Sequence, residues 1–221
     1  MFPLYDQNPT RTRPYVTWSL IVINVAVFLW QLSRGLAMEI VLEYGEIPAL
    51  ILRGERLHTM FTSMFLHGDF FHIAGNMLYL YIFGDNVEDR FGHVGFLILY
   101  IIFGLAGGII HSALMVLYGE LNALIPAIGA SGAISGVLGA YILLFPRAKI
   151  VSVILAFYLI RIAKVPALLF IGFWFVLQFL YGVGGGLGGV AYWAHIGGFA
   201  TGFLAAGLYR SIGRRYSIKY Y

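Results

Sequence analysis

The sequence predicts an all-α, polytopic membrane protein: six transmembrane helices with an interfacial helical first loop, in a single domain covering residues 1–221. Two observations carry this expectation. Of the 221 residues 60% are apolar and only 11% charged, against roughly 25% charged in soluble domains, so water is not the expected main solvent. The apolar residues also gather into runs bounded by polar groups, near the roughly 20 residues a spanning helix needs.

The first span is expected over Tyr15–Ser33, behind Arg11 and Arg13. Its charge pattern is that of a secretory signal, but the run is long enough to span and no small-x-small cleavage site follows, so it reads as a permanent helix. Residues Met38 to Asp69 mix apolar side chains with Glu39, Glu43, Glu46, Arg53, Glu55 and Arg56. That segment is too polar to span and too apolar for a free tether, and short helices lying in the interface are expected. The second span, Phe70–Phe83, carries His72 and Asn76 near its start, polar groups that belong against other helices rather than lipid. The third runs over His93–Tyr118 and the fourth over Ala130–Phe145. Residues 150–162 are apolar but bracketed by Arg147, Lys149, Arg161 and Lys164, which argues for an interfacial loop with both ends on one side rather than a seventh span. The fifth span covers Ala167–Val183 and the sixth Val190–Tyr209. Between them the glycine-rich stretch Gly182–Gly189 is expected to form a flexible outer cap.

Orientation follows from the basic residues. With the N-terminus cytoplasmic, all of the 14 lysines and arginines except Arg34, Arg53 and Arg56 fall inside, which puts both termini in the cytoplasm. This topology also accounts for the net charge of +4, so no nucleic-acid partner is expected. His72, Asn76 and Ser131 then lie near the outer ends of their helices, with His195 a little over one turn into the sixth. The chain has no cysteine, which excludes thiolate zinc sites and cysteine proteolysis. It has no His-Glu-x-x-His helix and no aspartate within a span, so metallo- and aspartyl proteolysis lack their groups, and neither metal nor cofactor is expected.

The chemistry centres on Gly129-Ala130-Ser131-Gly132-Ala133-Ile134-Ser135-Gly136 and Ala194-His195-Ile196-Gly197-Gly198. A serine needs a base within about 2.6–3.2 Å to take its proton during attack, and His195 is the candidate. Helices that bring such short side chains together must approach closely, which small residues at four-residue spacing permit. Gly132, Gly136 and Ala140 make one such stripe, and Ala194, Gly198, Gly202 and Ala206 another. The alternative reading is packing alone, with Ser131 bonded back to its own helix and His195 a buried structural histidine. His72 and Asn76, four residues apart, share one helical face. Both donate hydrogen bonds and suit an oxyanion, or else form an interhelical polar clamp. His58 and His67 read as solvated or loop-bracing, His93 as interfacial, and His111 is assigned no chemistry. Asp85, Glu88 and Asp89 are expected to cap or brace the inner end of span two.

Together, Gly129-Ala130-Ser131-Gly132, Ala194-His195-Ile196-Gly197-Gly198 and His72-x-x-x-Asn76, in this order on these helices, resemble the rhomboid intramembrane serine proteases. The stretch Glu88-Asp89-Arg90-Phe91-Gly92 resembles that family's turn after its second span. The resemblance implies a Ser131/His195 dyad without a carboxylate, and an oxyanion hole from the Ser131 backbone N–H with His72 and Asn76. It implies transmembrane segments of membrane proteins as substrates, while Gly129, Gly132, Gly136, Gly198 and Gly202 read from their own size and spacing as packing support. Position 135 departs from the pattern: some members carry an aromatic residue there, stacked on the imidazole, whereas here it is serine. His195 is then expected to be held by other aromatics, such as Tyr192 or Trp193, or to be less restrained.

The expected function is therefore a serine endopeptidase in the lipid bilayer of a prokaryotic plasma membrane, its site toward the outer side. Span five and the glycine-rich cap are expected to move to admit substrate. A catalytically silent binder of membrane segments is the alternative, although its usual mark, loss of the serine or histidine, is absent. A small-solute transporter would show internal repeats or paired broken helices, and the sequence halves show no clear repeat.

Overall fold

The computed structural model describes residues 1–156, 159–184 and 189–217. It is mostly helical: α1 (Tyr15–Ser33), α2 (Met38–Tyr44), α3 (Pro48–Leu52), α4 (Thr59–Thr62), α5 (Phe70–Phe91), α6 (His93–Leu117), α7 (Glu120–Ala123), α8 (Ser131–Leu144), α9 (Ala167–Val183) and α10 (Tyr192–Ser217). The first loop holds α2, α3, α4 and one further 3-10 turn at Ser63–Phe65, so it is built of short helices.

The all-α expectation needs correction. Strands β1 (Phe2–Asp6), β2 (Lys149–Ala156) and β3 (Leu159–Pro166) form an antiparallel sheet in the order β1-β2-β3. Residues 150–156 and 159–162 are thus strand rather than loop, in a ladder that runs from Lys149 opposite Pro166 to Ala156 opposite Leu159. The β-branched residues Ile150, Val151, Val153, Ile154, Ile160, Ile162 and Val165 favour the extended chain. The third strand comes from the N-terminus, where Phe2 pairs with Val153 and Asp6 with Ile150. Tyr141 on α8 donates to Asp6 at 2.5 Å, tying the sheet to the bundle.

Two helices outrun their expected spans. α5 continues from Phe83 to Phe91, and α10 from Tyr209 to Ser217. The added turns of α5 stay folded because Glu88, fully buried, accepts from Val16 N–H (2.9 Å), Thr17 N–H (2.7 Å) and Thr17 Oγ1 (2.6 Å). Those are the open donors at the start of α1, whose N-cap Pro14 contributes no side-chain bond. Asp89 likewise accepts from the Arg11 and Thr12 amides and the Thr12 hydroxyl. Glu88 and Asp89 therefore brace the start of α1 rather than cap their own helix. His93 completes the cluster, its Nδ1 lying 2.6 Å from Glu88.

The core lies where α5, α6, α8, α9 and α10 meet, around Leu80, Phe83, Phe96, Phe103, Val137, Tyr141, Ile171 and Phe199. From Gly132 to Ile142 every residue of α8 is buried, as expected of a helix apolar on all sides at the centre of a bundle. The outer faces carry exposed Val22 and Leu29 on α1, Ile98 and Ile109 on α6, Leu169 and Val176 on α9, and Leu204 and Leu208 on α10. Water is a poor solvent for such a surface and lipid a good one. Among the described residues α1 and α6 are long and apolar enough to cross a bilayer, while α8 and α9 are shorter apolar helices.

Candidate active site

Glycine contacts set how closely the helices approach. A Cβ at Gly198 of α10 would run into the carbonyl oxygen of Gly132 on α8, and one at Gly202 into that of Gly136. Gly136 in turn leaves room for the Phe103 ring of α6, and a Cβ at Gly107 would stand 2.6 Å from the Ala194 carbonyl oxygen. With backbone against backbone along this seam, short side chains at one end of it meet. His195 Nε2 lies 2.7 Å from Ser131 Oγ.

Ser131 is the first residue of α8, so the N–H groups of its turn have no acceptor within the helix and the helix dipole is positive there. The strip leading into it is pinned from the first loop. Ala127 and Glu46 exchange backbone bonds of 2.8 and 3.0 Å, and Gly129 N–H donates to the Ser63 carbonyl at 2.9 Å. Glu46 is buried and accepts from Ser112 Oγ at 2.6 Å. Burial pushes its carboxyl up to about 7 despite that bond. Gly129 has φ +123°, which only glycine adopts without strain, and a Cβ there would stand 2.8 Å from His72 Nε2.

Over the bare face of Gly129 the structure brings His72 Nε2 and, farther off, Asn76 Nδ2. Gly68 N–H donates to His72 Nδ1 at 3.3 Å, which makes Nδ1 the acceptor and leaves the neutral ring's proton on Nε2, facing the site. Asn76 is buried, and its Nδ2 has no hydrogen-bond partner among the described residues. His72, Asn76, Ser131 and His195 all line one cleft of about 620 Å³, with Tyr79 on α5 and Trp174 on α9 among its other walls.

Of the aromatics expected to hold His195, Tyr192 reaches the ring and Trp193 does not. Trp193 stacks on Tyr118, at 6.2 Å and 28°, and not on the imidazole. Trp174 of α9 lies over it at 5.9 Å and 32°, Tyr192 meets it edge-on at 6.4 Å, and Gln178 Oε1 lies 2.8 Å from its Nδ1. Ser135 bonds back to the Ser131 carbonyl at 2.6 Å. Sequence reasoning missed Trp174 and Gln178, although a lone amide in the apolar run 167–183 is a signal of the same kind as His195. His67 is fully buried, braced through its backbone by Gln31 and packed against His72 at 5.0 Å. Burial first and His72 second bring its ring down to about 4. His111 is buried with Nδ1 unpartnered among the described residues, and His58 is exposed. Of the glycine-rich cap, residues 185–188 lie outside the described residues.

Comparison with known proteins adds the lineage. A family model described as a rhomboid domain matches residues 54–212. The chain is 34% identical over 203 residues to the mitochondrial Rhomboid protein 1 of Saccharomyces cerevisiae, covering 86% of this chain and 51% of that protein. It is 30% identical over 202 residues to the mitochondrial RHOMBOID-like protein 12 of Arabidopsis thaliana, covering 86% and 57%. To the Rhomboid protease GluP of Bacillus subtilis it is 30% identical over 199 residues, covering 88% and 34%. The chain thus spans about half the length, or less, of these relatives. The chain belongs to the rhomboid family of membrane proteins.

Proposed function

We propose that this protein is an intramembrane serine endopeptidase acting on transmembrane segments of other membrane proteins. The observation that carries the reading is the 2.7 Å contact between His195 Nε2 and Ser131 Oγ. It is supported by the membership in a family that includes a relative named as a protease. In this reading His195 takes the Ser131 proton as Oγ attacks the peptide carbonyl carbon. The carbonyl oxygen takes up the negative charge among the Ser131 N–H, His72 Nε2–H and Asn76 Nδ2–H. Collapse of that intermediate breaks the carbon–nitrogen bond, with His195 returning the proton to the leaving amine. Water, deprotonated by His195, then hydrolyses the acyl-enzyme and regenerates Ser131.

The buried Asn76 amide, unpartnered among the described residues, supports the oxyanion role, because such a donor costs free energy until an acceptor arrives. The clamp reading would have given it a partner. We take α1, α5, α6, α8, α9 and α10 as the six spans of a single domain. With its 14 residues α8 rises only about 21 Å, short of a hydrocarbon core of about 30 Å, which recesses Ser131 below the outer surface. The cleft between α5 and α9 is the route for substrate, with α9 moving to widen it. The positive-inside count puts both termini in the cytoplasm or its topological equivalent and the site toward the other side. The relatives are named as mitochondrial and chloroplastic as well as bacterial, so a prokaryotic plasma membrane rests on the sequence reading alone.

The test is reconstitution with a generic single-span substrate. The wild type cleaves it and is labelled at Ser131 by a fluorophosphonate. Ser131→Ala and His195→Ala, folded in the same membranes, do neither. A folded wild type that neither cleaves nor labels overturns the protease and leaves the silent segment-binding protein.

A further inference from the structure

His195 uses both ring nitrogens, one toward Ser131 Oγ at 2.7 Å and the other toward Gln178 Oε1 at 2.8 Å. A neutral imidazole carries a single ring proton, and proton transfer from serine requires that it not be on Nε2. The carbonyl oxygen of an amide has lone pairs and no proton, so it selects the tautomer with hydrogen on Nδ1. That selection leaves the Nε2 lone pair aimed at the Ser131 hydroxyl.

We infer that Gln178 is the positioning residue of this site: from α9 it receives the His195 Nδ1–H, fixing both the tautomer and the plane of the imidazole. The inference rests on the serine-protease reading above. Gln178 and Trp174 are four residues apart, hence on one face of α9. One holds the edge of the ring while the other covers its face at 5.9 Å. This answers the departure at position 135, whose hydroxyl is occupied by the Ser131 carbonyl. No carboxylate bonds the imidazole among the described residues, so the amide stands where a triad would have an acid. Its oxygen also faces the charge that appears on the ring when the serine proton arrives, since an imidazolium keeps Nδ1–H and the amide dipole is oriented toward it.

A structural role and a positioning role predict opposite orders of substitution. Gln178→Leu keeps apolar packing and deletes the acceptor. Gln178→Glu keeps an acceptor oxygen in either ionisation state but introduces an acidic group on an apolar helix. The experiment measures kcat and KM on a reconstituted single-span substrate, and the rate of fluorophosphonate labelling at Ser131. Positioning expects Gln178→Leu to lower kcat and the labelling rate by about 10- to 100-fold with KM within about twofold, and Gln178→Glu to retain most of both. If the leucine variant melts early in detergent, Gln178→Met provides a second variant of near-native length with only a weak acceptor. Labelling of the leucine or methionine variant at the wild-type rate overturns the inference, as does a glutamate variant slower than either. Either result leaves the protease reading standing provided the wild type labels. A wild type indistinguishable from Ser131→Ala removes that reading and the inference with it.

Discussion

Replacing Gly198 by alanine tests the link between helix packing and chemistry. The added methyl would run into the Gly132 carbonyl oxygen. Both partners are backbone within helices, so no side-chain rotation relieves the overlap. Restoring an ordinary van der Waals separation requires α10 to move off α8 by about 1 Å or more. His195 lies three residues earlier on α10, and its 2.7 Å contact with Ser131 stretches past the roughly 3.2 Å limit of a useful hydrogen bond. A misplacement of about 1 Å costs on the order of 10²-fold in rate, equivalent to about 2.7 kcal/mol of barrier. Overpacking costs about 1–3 kcal/mol of stability, partly offset by about 1 kcal/mol of helix propensity. Gly207→Ala on the same helix is the control: its methyl would sit 3.7 Å from Leu143 Cδ2, an ordinary contact. Fluorophosphonate labelling of reconstituted proteins is the assay. Labelling of Gly198→Ala at the rate of Gly207→Ala would refute the reasoning.

Other outcomes follow from single groups. Asn76→Ala should lower kcat by about 10²-fold or more with KM and thermal stability nearly unchanged, because the deleted amide donor has no partner to orphan among the described residues; a large loss in melting temperature would point to the clamp instead. Glu46 has a carboxyl raised from 4.5 to about 7 in the folded protein. The folded state therefore holds the proton more tightly than the unfolded chain, and this contribution, complete below pH 4.5, is lost as pH rises through about 7. Thermal unfolding in detergent should show Glu46→Gln more stable than wild type by up to about 3 kcal/mol at pH 8 and close to it at pH 4.5; equal pH dependence of the two would contradict this. Glu88→Ala orphans the Val16 and Thr17 donors and should cost about 3 kcal/mol by the same measurement, with Glu88→Gln recovering part of the loss.

Much of the helical content was legible from the sequence because the length of an apolar run is a local property. The first, third, fourth and fifth helices lie within a residue or so of their expected bounds. α5 and α10 were read short where their ends turn polar, and what keeps the polar turns of α5 helical is Glu88 reaching the start of a helix some 70 residues earlier. Strands β2 and β3 were misread for a related reason. Over 150–162 an apolar, β-branched run looks alike as interfacial loop or strand until its partners are known, and one partner is the chain's first residues.

Ser131, His195, His72 and Asn76 stand out as candidates by residue type, since hydroxyl, imidazole and amide groups in apolar helices need reasons to be there. Residue type and spacing establish a membrane solvent, the succession of helices and the groups available for chemistry, each decided within a turn or a span. Which groups meet is a different matter. The approach of His195 to Ser131 and the placement of Gln178 and Trp174 against His195 are settled by how closely the helices pack. That distance is governed by carbonyl oxygens set against glycines far apart in the chain.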